Sequence, residues 1–351
     1  MRSLLCLAAV ASLLPAAYAV VGCKNLDGKD VDWFMAYKLP KGTKDSPDGR
    51  SFLYIDQFNT NWTLSNEPIE SEKSAIGATL SQLYGKDAPL FYTMYNDDAP
   101  HTHKAEGYRG HIKGVLGFDS KTGFWIQHSM PNFPPSPKEE PYGYPDTATK
   151  YGQTLICFTM RADDLGEIGE QLRYMMISPY VFNIPDEINA KFPVLKPVIV
   201  DRKSLNTRSE KVTTSKASMK TLAGQPFTSF AKHRTFFADL WADFIAKDEG
   251  IPLAVETWMN GAAKDLESIC KGEEPVMNIA TLDINGNTFK SSVDHSKWGA
   301  SGDPKKPLVC IGDVNRQESQ TKRGGGALCI ENEKVWKSWN GAIESLKDCP
   351  I

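Results

Sequence analysis

Two copies of one short motif, one in each half of the chain, constrain the fold more than any other feature of the sequence. His111 and Lys113 form the first His-x-Lys pair, and His295 and Lys297 form the second. Side chains two residues apart on a β-strand point to the same face, so each pair would present an imidazole beside an ammonium. A single pair of this kind is more typical of a half-exposed strand than of a functional site.

The residues that follow each copy indicate an internal duplication. Sixteen residues after Lys113 comes Ser129, in the run His128-Ser129-Met130-Pro131-Asn132, and sixteen residues after Lys297 comes Asp313, in the run Gly312-Asp313-Val314-Asn315. Each half therefore contains a His-x-Lys pair, a loop, a second apolar strand, and then a small or polar residue followed by an asparagine. Two copies of one device predict two similar halves with an active site between them.

The duplicated motif resembles that of the phospholipase D superfamily, and longer phrases of the sequence resemble the deoxyribonuclease II family. The resemblance covers nearly the whole chain and implies a phospholipase D-like fold, in which two similar halves, each a mixed β-sheet flanked by helices, form a pseudo-twofold active site. The phrases that carry it are Val31-Asp32-Trp33-Phe34, Met94-Tyr95-Asn96-Asp97, His128-Ser129-Met130-Pro131-Asn132-Phe133-Pro134, Tyr151-Gly152-Gln153-Thr154-Leu155, Asp294-His295-Ser296-Lys297-Trp298 and Arg323-Gly324-Gly325-Gly326.

The first 19 residues have the pattern of a secretory signal peptide. Arg2 precedes a short apolar segment, and Ala17-Tyr18-Ala19 supplies a small-x-small cleavage site. The segment is too short to span a membrane, and no later run is apolar enough to do so. We therefore expect a chain that enters the secretory route and is lysosomal or secreted.

Cysteine usage fits that route. Six cysteines in an oxidising compartment predict three disulfides, but spacing alone leaves all fifteen connectivities open. The family resemblance implies the pairs Cys23–Cys157, Cys270–Cys349 and Cys310–Cys329. Asn61-Trp62-Thr63 forms an N-glycosylation sequon. The six cysteines that remain after signal removal are Cys23, Cys157, Cys270, Cys310, Cys329 and Cys349.

The charge balance changes sign with pH. The formal net charge is −3, and it becomes −4 once Arg2 is removed with the signal peptide. Protonation of the six histidines would bring the mature chain to about +2. The protein would therefore attract a polyanion at acid pH but not at neutral pH.

Strand and helix patterns alternate along both halves and predict an α+β chain. We place the halves at residues 20–200 and 201–351, because the sequence around 186–216 is rich in Pro and polar residues. Helical spacing is found at 163–176, 227–247 and 333–346. Strand patterns cover 32–39, 90–95, 111–118, 123–129, 154–160, 253–258, 277–282 and 308–311.

The resemblance implies a two-step hydrolysis of phosphodiesters that needs no divalent metal and no other cofactor. We expect His111 to attack phosphorus and form a phosphohistidine, while His295 protonates the leaving 5′-oxygen; the near-symmetry of the motifs leaves the reverse assignment open. Water would then release a 3′-phosphate end. The side chains expected to hold the non-bridging oxygens are Lys113, Lys297, Asn132 and Asn315.

Three further residues are candidates for a supporting role. His128 and Ser129 belong to the family phrase and would contact phosphate or orient a partner, although a strand-end histidine is often satisfied by the backbone alone. Asp313 stands where the first half has Ser129, a departure from the superfamily pattern. It would orient His295 or Lys297, or would only satisfy a turn.

The leading hypothesis is therefore an acid endodeoxyribonuclease acting on DNA, most simply double-stranded DNA. One alternative is a phospholipase D-like lipid hydrolase, since the chemistry is shared and only the substrate groove differs. A second is a secreted DNA-binding protein that has lost catalysis, which the two intact His-x-Lys pairs argue against. The sequence carries no signal for an oligomeric state.

The placement of each histidine beside lysines predicts an acidic activity profile. Nearby positive charge disfavours protonation and lowers the pKa of an imidazole, yet the general acid must carry a proton. We expect cleavage of DNA to become faster as pH falls below ~6.5, the ordinary histidine value. A pH–rate profile that peaked above neutrality would contradict this mechanism.

Overall fold

Two large β-sheets, one from each half of the chain, pack against each other. The computed structural model describes residues 20–85, 91–102, 105–206, 209–261 and 263–350. The first sheet has eight strands and the second has nine, and the helices between them are short. The predicted α+β class is confirmed. The signal peptide predicted at residues 1–19 lies outside the described residues.

Strands of the first sheet follow the order β3-β2-β1-β7-β6-β5-β4-β8. Every pairing is antiparallel, so this sheet is not the mixed sheet that we expected. Antiparallel strands can be joined by a short turn. The predicted β5–β6 hairpin has such a turn, in which Asp119 Oδ1 accepts hydrogen bonds from the backbone N–H groups of Lys121 and Thr122. The strands are β1 (Trp33–Lys38), β2 (Phe52–Asp56), β3 (Thr63–Leu64), β4 (Phe91–Asn96), β5 (Lys113–Phe118), β6 (Thr122–His128), β7 (Gln153–Arg161) and β8 (Pro179–Asn183).

Strands of the second sheet follow the order β13-β12-β11-β14-β15-β16-β10-β9, with β17 beside β12. This sheet is mixed, because β11 and β12 pair in parallel whereas the other pairings are antiparallel. The strands are β9 (Thr214–Lys220), β10 (Pro226–Lys232), β11 (Leu253–Glu256), β12 (Val276–Ile284), β13 (Asn287–Lys290), β14 (Trp298–Ser301), β15 (Leu308–Gly312), β16 (Gly325–Glu331) and β17 (Ile343–Leu346).

The described helices lie in the connections between strands. The longest is α2, which confirms the helix predicted at 163–176 and begins with a 3-10 turn, Ala162–Asp164. The α-helices are α1 (Ala75–Leu80), α2 (Leu165–Met175), α3 (Asp186–Lys191), α4 (Leu195–Ile199), α5 (Lys247–Glu249) and α6 (Glu333–Asn340). None of the helices in the described ranges is long and apolar enough to cross a bilayer.

The helix predicted at 227–247 is wrong in its first part. Pro226–Lys232 is strand β10. The helical part of the predicted range is a π-helical segment, Leu240–Ala246, which continues into α5 and ends at Gly250. β10 lies between β9 and β16 and is buried on both faces over most of its length. Burial on both faces removes the alternation of apolar and polar residues by which a strand is recognised in a sequence.

The closing helix predicted at 333–346 is also too long. Helix α6 ends at Asn340, and residues 343–346 form strand β17 instead, paired with β12. Exposure of the strand's last three residues left no apolar periodicity that would separate it from a helix end.

The largest hydrophobic core combines side chains of both sheets. Phe158 of β7 stacks on Phe227 of β10, with ring centroids 4.1 Å apart. Strand β15 lies against β6 and β7. The predicted boundary at residue 200 falls in the segment that leads from the first sheet to the second, and the two halves share this core.

Three disulfides join the cysteines in the pairs that the family resemblance implies. Cys23–Cys157 ties the start of the described chain to β7, Cys310–Cys329 links β15 to β16, and Cys270–Cys349 ties the C-terminal segment to the loop before β12. Each disulfide lies within one half, so the contact between the sheets depends on packing and hydrogen bonds.

Trp339 of α6 is one of the side chains that pack between the two halves. Its ring is buried against Tyr37, Trp62 and Trp298, with centroid distances of 5.8, 5.0 and 4.9 Å. We expect Trp339→Ala to lower the free energy of unfolding by about 3–5 kcal/mol, because it leaves a cavity between the halves. Lys334→Ala, at an exposed position of the same helix, should change it by less than about 0.5 kcal/mol. Denaturant unfolding with intact disulfides measures both, and similar values for the two variants would contradict this packing role.

Candidate active site

His111, Lys113 and His295 line one cleft between the sheets, and Lys297 is buried beside His295. His111 and Lys113 lie at the start of β5, and His295 and Lys297 lie immediately before β14. The cleft has a volume of about 410 Å³ and takes lining residues from both halves. Its lining includes Asp97, His111, Lys113, Tyr151, Gln153, Trp258, His295, Asn315 and Arg323.

Each histidine is attached through its backbone to the opposite half of the chain. The N–H of His111 donates to the carbonyl of Gly324 (2.9 Å), and the N–H of His295 donates to the carbonyl of Gly152 (2.9 Å). Both acceptors are glycines at crowded positions. A Cβ at Gly152 would collide with the Asp294 carboxylate, and a Cβ at Gly324 would collide with the carbonyl of Met175. The positions of the imidazoles therefore depend on close backbone contact between the halves.

Asp97 is the central anion of the cleft. It follows β4, is buried, and accepts hydrogen bonds from Lys113 Nζ and from Arg323 Nη2, the latter at 3.0 Å. Its Oδ2 also lies 3.9 Å from His111 Nε2. Because Arg323 comes from the second half, this carboxylate connects the first His-x-Lys pair to the opposite sheet. Sequence reasoning assigned no role to Asp97 or Arg323, although both stand in the phrases that carry the family resemblance.

The His295 ring is held through Nδ1. This atom lies 3.2 Å from the carbonyl oxygen of Ser129, 3.3 Å from Gln153 Oε1 and 3.1 Å from Lys297 Nζ. Two of these neighbours are acceptors, so they favour a proton on Nδ1 and leave Nε2 for the cleft. Ser129 also donates from Oγ to Gln153 Oε1 at 2.6 Å, which holds that amide in place.

Three side chains of the two pairs have a lowered pKa, and the causes are burial and neighbouring positive charge. The pKa of His111 is lowered well below its ordinary value by burial, and further by Lys113 and Arg323. The pKa of His295 is lowered well below its ordinary value by burial and then by Lys297 and Lys113. Burial also lowers the pKa of Lys297, assisted by Lys113. The cleft is thus a preformed electropositive site that resists further protonation.

Asn315 and Asn132 occupy different positions relative to the cleft. Asn315 lines it, and its Oδ1 is buried without a hydrogen-bond partner among the described residues. Asn132 lines an adjoining cavity, and its Nδ2 donates to the Asp98 and Ala99 carbonyls and to Asp98 Oδ1, each at 3.1 Å. Asn315 Oδ1 is an acceptor, so a contact of this residue with a phosphate oxygen would have to come from its Nδ2; this contact and that of Asn132 stay predictions.

His128 and Asp313 lie behind the cleft surface. His128 Nδ1 accepts from the N–H of Met130 at 3.1 Å, and burial lowers the pKa of this histidine to about 3. Asp313 accepts from Gln127 Nε2 (3.0 Å) and from the N–H of Gly326 (3.2 Å), and burial raises its pKa well above the usual range. Their arrangement supports the loops that carry Ser129 and Asn315. The supporting roles assigned to them stay predictions.

Three further cleft residues escaped the sequence analysis. Gln153 holds His295, as described, and two aromatic side chains lie next to the same imidazole. The ring centroids of Tyr151 and Trp258 are 4.6 Å apart, and that of Trp258 is 5.3 Å from the His295 ring. Tyr151 and Gln153 stand in a quoted phrase, so their signal was present in the sequence. Trp258 had none, since any of the chain's tryptophans could have been a core residue.

An acidic cluster lies beneath the second pair. Asp294 accepts hydrogen bonds from Tyr37 Oη and from Ser296 Oγ, the latter at 2.7 Å. Glu256 is 1% exposed, and neither of its carboxylate oxygens has a partner among the described residues. Burial, and then the charge of Asp294, raise the pKa of Glu256 well above its usual range. Burial therefore favours the protonated, neutral form of Glu256. In the described part of the chain, no group of three or more His, Cys, Asp or Glu side chains is arranged to hold a metal ion.

The sequence of this chain is similar to the sequences of known nucleases. The family model for Deoxyribonuclease II matches residues 22–349. Cell-death-related nuclease 7 of Caenorhabditis elegans is 42% identical over 94% of this chain and 88% of its own length. Deoxyribonuclease-2-alpha of Mus musculus is 34% identical over 99% of this chain and 98% of its own length. Plancitoxin-1 of Acanthaster planci is 33% identical over 99% of this chain and 98% of its own length.

The raised pKa of Glu256 predicts how the free energy of unfolding depends on pH. A raised pKa in the folded state stabilises the protein fully below the unfolded pKa of about 4.3, and this contribution is lost as pH rises through the folded pKa. We expect Glu256→Gln to stabilise the protein relative to wild type by up to about 1.4 kcal/mol more for each pH unit between 5 and 7. Denaturant unfolding at both pH values measures the difference. Glu331→Gln, at an exposed position, should show no such trend, and a pH-independent effect of Glu256→Gln would contradict a neutral Glu256.

Proposed function

The chain belongs to the deoxyribonuclease II family and is a deoxyribonuclease; we propose that it is an endonuclease that cleaves DNA at acid pH through two histidines and without a divalent metal. The observation that carries this proposal is the convergence of His111 and His295, from opposite halves, on one cleft surrounded by buried cations. One imidazole can attack phosphorus while the other serves the leaving group, which is the division of labour that a two-step displacement requires.

In the first step, His111 Nε2 attacks the phosphorus of a bound phosphodiester. The P–N bond forms as the bond to the 5′-oxygen breaks, and His295 Nε2 donates a proton to that oxygen, which leaves as a 5′-hydroxyl. The hydrogen bonds at His295 Nδ1 support this role, because they leave Nε2 to face the cleft. The lone pair needed on His111 is favoured by its lowered pKa, which keeps the ring neutral.

In the second step, water attacks the phosphohistidine. His295, now neutral, accepts a proton from the water as the P–N bond breaks, and a 3′-phosphate end is released. Both histidines return to their starting states. His295 thus acts as the acid in the first step and as the base in the second, so one imidazole serves both the leaving oxygen and the attacking oxygen.

Charge stabilisation in both steps comes from side chains. Lys113, Lys297 and Arg323 place positive charge around the cleft, and Asn315, which lines it, would donate from Nδ2. Preorganised donors of this kind stabilise the charge that develops on the non-bridging oxygens, at no reorganisation cost during the reaction. They supply the neutralisation for which other phosphodiesterases use divalent cations.

The lowered histidine pKa values account for action at acid pH. His295 must be protonated to act as the acid, and burial beside Lys297 and Lys113 restricts that form to low pH. The negative charge of a bound phosphodiester favours the imidazolium and raises the pKa in the complex. The net charge of the chain changes in the same direction, so binding of DNA and protonation of the acid are both promoted as pH falls.

DNA fits the surroundings of the cleft. Tyr151 and Trp258 form an aromatic pair beside His295, and aromatic side chains stack on the faces of bases. A lipid substrate would not use this pair in the same way. We place a base next to the scissile phosphate on Trp258, with double-stranded DNA as the substrate.

The two sheets are proposed to be the two halves of a phospholipase D-like duplication. Each half supplies one His-x-Lys pair in front of a strand, at β5 and at β14. The reciprocal backbone bonds from the two histidines to Gly324 and Gly152 support a pseudo-twofold relation at the cleft. The predicted signal peptide at residues 1–19 and the proposed acidic working range support a lysosomal or secreted location.

Cleavage of plasmid DNA at pH 5 in EDTA tests the mechanism. Wild type should cleave and leave 3′-phosphate ends, His295→Asn should be slower by about 10²–10⁴-fold, and His111→Asn should fall at least as far. His233→Asn is a matched control, because His233 lies outside this cleft and caps a helical turn that asparagine also caps. It should retain wild-type activity. Dependence of wild type on a divalent ion, or no cleavage by folded wild type, would contradict the proposal.

A substrate with a good leaving group separates the roles of the two histidines. Thymidine 3′-(4-nitrophenyl phosphate) releases 4-nitrophenolate, which needs no proton from the enzyme. His295→Asn should therefore release about one equivalent of 4-nitrophenolate in a rapid burst and then turn over slowly, because the second step still lacks its base, whereas His111→Asn should show no burst. The opposite result would assign the nucleophile to His295.

A further inference from the structure

Phe58 is an exposed aromatic side chain in the loop between β2 and β3. It is 75% exposed, more than any other large hydrophobic side chain in the described residues. The ring lies in no hydrophobic core cluster, so the fold gains nothing from it. An exposed apolar ring at a fixed position indicates a contact that the polypeptide alone does not supply.

The ring and the sequon asparagine line the same cavity. Phe58 and Asn61 border a cavity of about 610 Å³ together with Lys334, Lys337 and Ser338 of α6. The cavity thus lies between the β2–β3 loop of the first half and a helix of the second. Its lining offers an apolar ring on one side and ammonium and hydroxyl groups on the other.

Hydrogen bonds hold the loop in this position. Asp56 Oδ1 accepts from the N–H groups of Phe58 (2.8 Å) and Asn59 (2.9 Å), and Asn59 Oδ1 accepts from the N–H of Asn61 (3.0 Å). Trp62 Nε1 donates to the carbonyl of Ser338 at 3.0 Å, which fixes the loop to α6. By contrast, no hydrogen bond within the described structure engages the side-chain amide of Asn61, and this residue is exposed.

We propose that Asn61 carries an N-linked glycan whose first N-acetylglucosamine is seated in this cavity, with its C–H face on the ring of Phe58. The glycan is transferred from a lipid pyrophosphate donor. A bond forms between sugar C1 and Asn61 Nδ2, the bond from C1 to the pyrophosphate oxygen breaks, and the amide loses one proton. The sequence predicts only that Asn61 can be modified, whereas the cavity assigns the sugar a binding site.

The chemistry of the cavity matches that of the sugar. A pyranose ring presents weakly positive C–H groups on one face, and the face of an aromatic ring is electron-rich. The hydroxyl and acetamide groups would then point toward the ammonium donors of Lys334 and Lys337 and toward Ser338 Oγ, which donates to the carbonyl of Thr60 and remains an acceptor. Lys337 is paired with Glu333 at 2.6 Å but is 65% exposed and free to turn.

Seating the sugar would couple the two halves of the chain. The loop belongs to the hairpin of β2 and β3, and α6 packs Trp339 against Tyr37 of β1. A sugar wedged between loop and helix adds a contact that must break when the halves separate. The expected benefit is higher stability, with no effect on DNA cleavage. This inference rests on entry into the secretory route and not on the proposed catalytic mechanism.

The test uses the full chain secreted from a eukaryotic host that adds N-glycans. The glycan is left whole, trimmed to one N-acetylglucosamine by an endoglycosidase, or removed completely by a peptide N-glycosidase on the folded protein. Mass spectrometry confirms each state at Asn61, and the apparent Tm is measured at one scan rate. Wild type should keep its Tm with one sugar and lose about 2 °C or more on complete removal.

Phe58→Ala should abolish most of that loss, since the seat is gone whether or not the sugar is present. Phe237→Ala is the matched control, because Phe237 is a phenylalanine of similar exposure (63%) that does not line the cavity. It should keep the full wild-type shift. Asn61→Asp should match the fully deglycosylated protein, because the peptide N-glycosidase leaves an aspartate at position 61, and it should cleave DNA as wild type does.

Three results would overturn the inference: an unmodified Asn61 in the folded secreted protein, equal Tm values in all three glycan states, or the full shift retained in Phe58→Ala. None of them concerns DNA cleavage, so failure here and failure of the proposed function are distinguishable.

Discussion

Positive charge buried at the contact between the two sheets is the constraint on which the rest of the structure depends. Lys113, Lys297 and Arg323 are all removed from water in or beside one cleft. Burial of unpaired charges is strongly unfavourable, so the fold has to supply partners. Asp97 does so for Lys113 and Arg323 and thereby links the two halves. Lys297 instead donates to the carbonyl of His295, and burial lowers its pKa.

The same charges prepare the site for an anion. Asp97 pairs with Lys113 and Arg323, whereas Lys297 forms no ion pair among the described residues, and the neighbouring histidines have lowered pKa values. In the proposed mechanism, the negative charge of a phosphodiester would offset this positive charge. Acid pH adds protons to the imidazoles and to the rest of the surface. In the proposed mechanism, recognition of a polyanion and proton donation to its leaving group would both follow from the same buried charges.

Assembly of the site is inseparable from contact between the halves. His111 is bonded through its backbone to Gly324, and His295 to Gly152, each across the interface. The disulfides lie within the halves and do not hold this interface. Its stability comes from shared packing, such as Phe158 on Phe227. Correct placement of the imidazoles thus reports correct docking of the two sheets.

The sequence by itself determined the α+β class, the β5–β6 hairpin and the candidate His-x-Lys pairs, because these depend on local spacing and residue type. It misassigned β10, whose burial on both faces hides its period. The partners of the pairs were decided only by tertiary structure. Asp97 and Arg323 are 226 positions apart, and Ser129 and His295 are 166 apart. No local pattern encodes such contacts, since they exist only after two separately formed sheets have packed together.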